Sequence, residues 1–438
     1  MKSAAPWLAL TAAVIAAAVG LGTGAIDSAT LLYTLILGSI MSYLAFKVAQ
    51  DSDRSWLPGL ILVAFVTKLL GSSLRYYVLV ETYGRVGDSI GYYNRGVAFA
   101  ADWRALRVPD FQIGGDGTTF VSKMTALMFA PYTPSELGGF YLFATLAFVG
   151  QVLFYLAFRR VMPEGRHRMY AIAVLFLPSL IFWPSSIGKE STMLFLLGLM
   201  AWSTAHLLGR YRIRWVVVAA LALLVIALIR PHVAALFGGA AAAAVLVGKS
   251  PAVKAAQTRR LILMAVAGFA VVTLATFASS SFDVDLSGDD LDPFLASLQR
   301  TTQQGGSAVQ GQAVRSVRDV PPAIIRTLYR PLLNEGVNLQ TRLAAIEGTL
   351  LLLISIFRLP AMARDFLRWR RYPYLVFSFV AVAGFVVGFS AIFNLGILTR
   401  QRTQVLPLLL ALLVGLGPRL KQSRTAAPVD AEVGLVTP

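Results

Sequence analysis

The stretch LGGFYLFATLAFVGQVLFYLAF, Leu137 to Phe158, carries no charged residue and closes on Arg159 and Arg160. An apolar run of about 18 or more residues reads as a membrane-crossing helix rather than a strand or a core helix. Comparable runs recur outward from it in both directions. They lie near Trp7–Leu21, Ala29–Val48, Trp56–Val80, Met169–Phe182, Ile187–Leu208, Trp215–Ile229, Val233–Gly248, Leu261–Ser279, Leu343–Phe357, Pro373–Phe393 and Val405–Gly417. Counted by the window rule, they predict about twelve spans. Of 438 residues, 57% are hydrophobic and 14% charged, against roughly 45–50% apolar and about 25% charged in soluble domains. The roughly ten-residue alternation of an outer-membrane barrel is absent. The expected fold is an all-α, polytopic helical membrane protein.

Charge placement sets the expected orientation. The formal net charge is +17. Arg159, Arg160, Arg166 and Arg168 fill one short connection, Arg210, Arg212 and Arg214 another, and Lys249, Lys254, Arg259 and Arg260 a third. Arg358, Arg364, Arg368, Arg370 and Arg371 follow, then Arg419, Lys421 and Arg424. These clusters fall on every second connection, as the positive-inside rule requires of cytoplasmic loops. That reading explains the basic balance without nucleic acid as a partner. It places the chain in a bacterial cytoplasmic membrane with both termini cytoplasmic. Lys2 alone makes a weak n-region, so Trp7–Leu21 reads as a retained first span and not a cleaved signal. Residues 1–424 form one expected transmembrane domain, and 425–438 an expected disordered cytoplasmic tail. There are no cysteines, which excludes disulfides, thiolate metal sites and cysteine nucleophiles.

Two long connections, about 81–136 and 280–342, fall on the opposite side. Each contains a candidate interfacial helix. Thr118–Ala130 groups Phe120, Met124, Leu127 and Met128. Pro321–Leu333 groups Ile324, Ile325, Leu328 and Leu332, with Arg326 and Arg330 beside them. Ser297–Val317 is rich in Gln, Gly and Ser and reads as mobile. Asp283, Asp285, Asp289, Asp290 and Asp292 form an acidic run without a complete EF-hand pattern.

Candidate site residues gather on this same side. Asp88 opens the first long loop in Gly87-Asp88-Ser89-Ile90-Gly91-Tyr92-Tyr93. A carboxylate there can take a proton from an acceptor hydroxyl or ligate a divalent cation. Tyr92 and Tyr93 can stack on a ring. Helix capping by Asp88 and an interfacial tyrosine belt explain the same residues. In Pro178 to Ser191, Pro184 breaks one span, and Ser185 or Ser186 can cap the next. Lys189 and Glu190 then stand in its first turn, where a helix N-terminus and a lysine can face an anion. Snorkelling is the plainer account of that lysine. Arg230-Pro231-His232 joins two spans abruptly, and an arginine at such a join suggests an anionic partner. Tyr329-Arg330-Pro331 with Glu335, and Asn394-Leu395-Gly396 with Arg400 and Arg402, complete the set. Arginines recurring against the positive-inside rule suggest a phosphate site, the guanidinium fork being the usual partner of phosphate. Within the spans, Lys68 and Glu347 are the few charged residues singled out.

Three stretches carry a resemblance, in order: Asp88-x-x-x-Tyr92 in a long early outer loop, the Pro178 to Glu190 junction, and Arg400-x-Arg402-x-x-x-x-Pro407. With Arg230-Pro231, they resemble the GT-C glycosyltransferase superfamily or a similar polysaccharide-polymerase-like membrane family. The paired acidic motif common in that loop of many members of that superfamily is absent here. The resemblance implies transfer of a sugar from a polyprenyl phosphate or diphosphate carrier to a cell-envelope glycan or other acceptor. It implies Asp88 as the catalytic base, with the arginines on the leaving phosphate. It implies no nucleotide and no definite cofactor, and leaves a divalent cation open. The implied partners are the lipid-linked sugar, the glycan acceptor and the bilayer. A repeat-unit polymerase and a lipid-glycan transporter remain the alternatives.

Overall fold

A computed structural model describes residues 28–50, 54–107, 117–209, 212–248, 314, 316–336 and 339–416. The runs Trp7–Leu21 and Leu261–Ser279, the acidic run, most of Ser297–Val317 and the tail after Arg424 lie outside them. The described residues are helical almost throughout. In chain order the helices are α1 (Ser28–Gln50), α2 (Leu57–Tyr77), α3 (Asp88–Arg104), α4 (Gly117–Phe129), α5 (Glu136–Val161), α6 (His167–Phe176), α7 (Pro178–Phe182), α8 (Lys189–Gly209), α9 (Ile213–Ile229) and α10 (Pro231–Val247). They continue as α11 (Val320–Ile324), α12 (Leu339–Phe366), α13 (Pro373–Phe389), α14 (Leu395–Gln401) and α15 (Leu406–Val414). A π-helical turn, Val78–Thr82, extends α2, and another, Ile325–Tyr329, extends α11.

The α5–α8 pair is the most extensive packing in the molecule. It rests on two glycines. A Cβ on Gly150 would run into the Leu194 carbonyl, and one on Gly198 into the Gly150 carbonyl. The two backbones therefore touch, and no side chain fits at either position. Around this pair, α2 packs on α5, α10 on α13, and α15 on α13 and α6. The core they enclose is aromatic, with Phe140, Phe143, Phe148, Phe154, Phe158, Tyr155, Tyr170 and Phe237 wholly buried. Each such ring contributes about 1.5–3 kcal/mol by leaving water. The Tyr170 hydroxyl donates to the Pro407 carbonyl at 3.0 Å, tying α6 to α15.

The expectation of about twelve spans is corrected by helix length. Four helices among the described residues are long and apolar enough to cross a membrane: Leu57–Thr82, Glu136–Val161, Lys189–Gly209 and Gln340–Phe366. A fifth is reached only if Leu395–Gln404 and Leu406–Val414, bent by 64°, count as one. The helices α9, α10 and α13 have 17 residues each. At 1.5 Å per residue such a helix spans about 25 Å, short of a hydrocarbon core of about 30 Å. The run Met169–Phe182 splits at Leu177, whose extended backbone (ψ 124°) is what a residue before proline prefers. Much of the apolar sequence serves internal packing instead. In Glu136–Val161, 78% of the apolar window is buried inside the protein, against 22% in Gln340–Phe366.

The interfacial helices are corrected too. The buried side of α4 consists of Val121, Ser122, Thr125, Ala126 and Phe129, and it packs on α3. Of the face expected to meet the membrane, Phe120, Met124 and Met128 pack against the core instead, and Leu127 stays exposed. The Pro321–Leu333 helix ends at Tyr329, and Arg326 turns inward to donate to the Ser390 carbonyl at 2.6 Å.

Candidate functional site

The break between α6 and α8 organises the site. A helix end leaves carbonyls without partners, and one face of α2 supplies donors to them. Lys68, Ser72 and Arg75 lie about one turn apart along that face, and all three are buried. Lys68 Nζ donates to the Leu180 carbonyl at 2.6 Å, and Ser72 Oγ to the Ser185 carbonyl at 2.7 Å. Arg75, next along the face, meets rings instead of carbonyls. Its guanidinium lies 5.1 Å from the Phe182 ring centre and 5.0 Å from that of Trp183. Its Nε and Nη1 are buried without a hydrogen-bond partner.

Arg400 approaches the same ring, its guanidinium 5.3 Å from the centre of Trp183. The charges of Arg75 and Arg400 act on each other directly. Beside them, Arg230 Nη2 donates to Glu190 Oε1 at 3.0 Å. The Glu190 charge reaches both Arg400 and Arg75. Among Arg75, Arg230, Arg400 and Glu190, positive charges outnumber negative ones by two. Arg230 stands at the C-terminal end of α9, and Glu190 in the first turn of α8, where a carboxylate also suits the helix dipole. Tyr92 closes the site from α3. Its ring is buried, and its hydroxyl pairs with Thr118. Burial, aided by the charges of Asp88 and Glu190, pushes that hydroxyl above its usual value, so Tyr92 stays protonated.

The structure thus brings Glu190, Arg230, Arg400 and Tyr92 together, and adds Arg75 and Trp183. The other expected site residues stand outside this cluster, Asp88 within electrostatic reach of Tyr92. Asp88 is exposed at the start of α3, where Gly87 holds the capping position. Tyr93 donates to the Pro134 carbonyl at 3.0 Å and packs edge-on against Phe129. Lys189 is half-buried at the start of α8. His232 packs against Phe389, and burial with the Arg230 charge pushes its pKa down to about 4, so it adds no positive charge at neutral pH. Arg330 pairs with Glu335. Arg402 is wholly buried and turned away from the cluster. It donates through Nη1 to the Arg330 carbonyl at 3.0 Å, and its Nη2 stands 3.7 Å from Glu347 Oε1. Glu347 Oε2 in turn accepts the Ser179 N–H at 2.6 Å. Ser185 does not point forward as a cap. The Ser185 hydroxyl bonds back to Ile181, and the Ser186 carbonyl accepts from Ser191.

Comparison with protein-family models, curated proteins and solved structures gives no match. The resemblance to GT-C glycosyltransferases and polysaccharide-polymerase-like proteins is corrected by the fold: among the described residues four helices, or five if the bent pair counts as one, are long and apolar enough to cross a membrane, against the roughly twelve spans expected over the whole chain. The expected sugar transfer, its polymerase and transporter alternatives, and the enzyme assignment are corrected with it. So are the lipid-linked sugar, the glycan acceptor and the bilayer as partners, which the resemblance implied, and the multi-pass inner-membrane placement, which rested on the expected span count. Among the described residues no group of three or more His, Cys, Asp or Glu side chains is placed to hold a metal ion.

Proposed function

We propose that the chain binds a small oxyanion, a phosphate- or carboxylate-bearing molecule, between Arg75 and Arg400 at the Trp183 ring. The observation that supports this reading is the state of Arg75. A buried cation costs several kcal/mol unless paired, and a buried donor left unmade costs about 1–3 kcal/mol more. Arg75 is 8% exposed, its Nε and Nη1 have no acceptor, and a second arginine stands near. Ring stacking offsets part of that cost, at roughly 0.5–2 kcal/mol per contact. A bound anion would offset the rest. Arginine is suited to the task, its planar fork matching carboxylate and phosphate.

The test is calorimetric titration of the full chain with inorganic phosphate and, separately, with citrate. Saturable binding of at least one is expected, with a rise in melting temperature that grows with ligand concentration. Binding of citrate alone assigns the site to carboxylates, and of phosphate alone to phosphates. No saturable binding of either refutes the reading.

A further inference from the structure

We infer that Glu190 is an internal counter-anion competing for the Arg75–Arg400 pair, and that Arg230 acts by restraining it rather than by touching the ligand. This rests on the proposed oxyanion site. Glu190 lies within electrostatic reach of all three arginines but is hydrogen-bonded to one, Arg230, through Oε1 at 3.0 Å. Both partners are largely buried, their side chains 9% (Arg230) and 23% (Glu190) exposed. Opposite charges so placed stay together, because removing one strands the other. The pair is therefore a latch. While it holds, the Glu190 carboxylate is committed to Arg230, and Arg75 keeps its unpartnered donors for an incoming oxyanion. Once released, the same carboxylate would turn to Arg400 or Arg75 and occupy the place the ligand needs. The affinity of the site is then set by how firmly Arg230 holds Glu190. Arg230 Nη1 is itself buried without a partner, so direct contact with the ligand is the rival account, and the two accounts differ in a double substitution.

The experiment measures inorganic phosphate affinity of the full chain by calorimetry for wild type, Arg230→Gln, Glu190→Gln and the double variant. Release of Glu190 in Arg230→Gln should weaken phosphate binding at least about tenfold, the scale of one charge-assisted hydrogen bond. Glu190→Gln removes the competitor and should tighten binding severalfold. The double variant has neither latch nor competitor and should return to wild-type affinity or better. A double variant as weak as Arg230→Gln overturns the inference while leaving the oxyanion site standing. Absence of phosphate and citrate binding by wild type overturns both together. Should Arg230→Gln fail to fold, Glu190→Gln alone decides, since affinity equal to or below wild type contradicts competition.

Discussion

Arg400 and Arg402 stand two residues apart and have opposite fates. Arg402 is sealed inside the protein, with Nη1 on the Arg330 carbonyl and Nη2 facing Glu347 and the Ser179 hydroxyl. Its guanidinium joins the α11 extension, α12 and the start of α7. Arg400 is half-buried, has no such carboxylate of its own, and lies against Trp183 beside Arg75. The turn from α14 into Arg402–Gln404 sends the two side chains to different places. An arginine whose charge is answered by the protein holds elements together. One whose charge is met by a ring, with another cation beside it, is poised for something outside the chain. Motif spacing cannot separate these cases, because both residues belong to one short motif.

The largest effect should come from breaking the answered charge. Arg402→Met leaves Glu347 buried without its cation, a loss that typically costs about 3–5 kcal/mol. The unfolding midpoint in denaturant should fall accordingly. An unchanged midpoint would show that the Arg402–Glu347 tie is not structural, and the contrast with Arg400 would collapse.

Arg75→Met tests the other side. It removes a buried cation with no carboxylate partner, so stability without ligand should hold or rise. Phosphate affinity should drop at least about tenfold, a hydrogen bond to a charged group being worth about 1.5–3 kcal/mol. Loss of stability with intact binding would reverse the assignment of Arg75 and Arg402. Arg400→Lys sharpens the same point on a smaller scale. It keeps the charge but gives up the planar fork lying on Trp183. A cation–π contact of about 0.5–1 kcal/mol corresponds to a few-fold loss of affinity, readable in the same titration.

How much of this was legible in the sequence follows from the same physics. Apolar runs located helices, since Leu137–Phe158 lies within α5. They did not count spans, because a helix buried among neighbours needs as much apolar surface as one facing lipid. Glu190, Arg230, Arg400 and Tyr92 stood out as charges and rings at joins between runs. Arg75 was passed over inside the run Trp56–Val80. Its signal was present: an arginine in an apolar run is expensive, and it follows Lys68 by two turns on one face. Trp183 lies in the Pro178 to Ser191 junction, where nothing in the sequence singles it out. Its role depends on Arg75 and Arg400 converging from positions far apart in the chain, which spacing alone does not disclose.

The smallest effect separates Arg330 from both neighbours. Its guanidinium pairs with Glu335, five residues on, in a pair whose side chains are 24% and 20% exposed. Burial pushes the Glu335 carboxyl up. Hydrogen bonds from Arg330 and the Leu332 N–H, with the Arg330 charge, outweigh that and hold it below the usual carboxylate value of 4.5. A carboxyl depressed in the folded state stabilises the protein above its unfolded pKa, and that contribution fades as pH falls through the folded value. Glu335→Gln should therefore cost little at pH 7, toward the low end of about 0.2–1 kcal/mol for a partly exposed pair. The difference between wild type and variant should shrink further at a pH well under 4.5, where the wild-type carboxyl is also neutral. Denaturant midpoints at the two pH values check this. A cost at pH 7 as large as that of Arg402→Met would place Arg330 among the buried ties instead. A difference that persists undiminished in acid would mean that the Glu335 side chain acts through its shape and its bond to the Leu332 N–H, not through its charge.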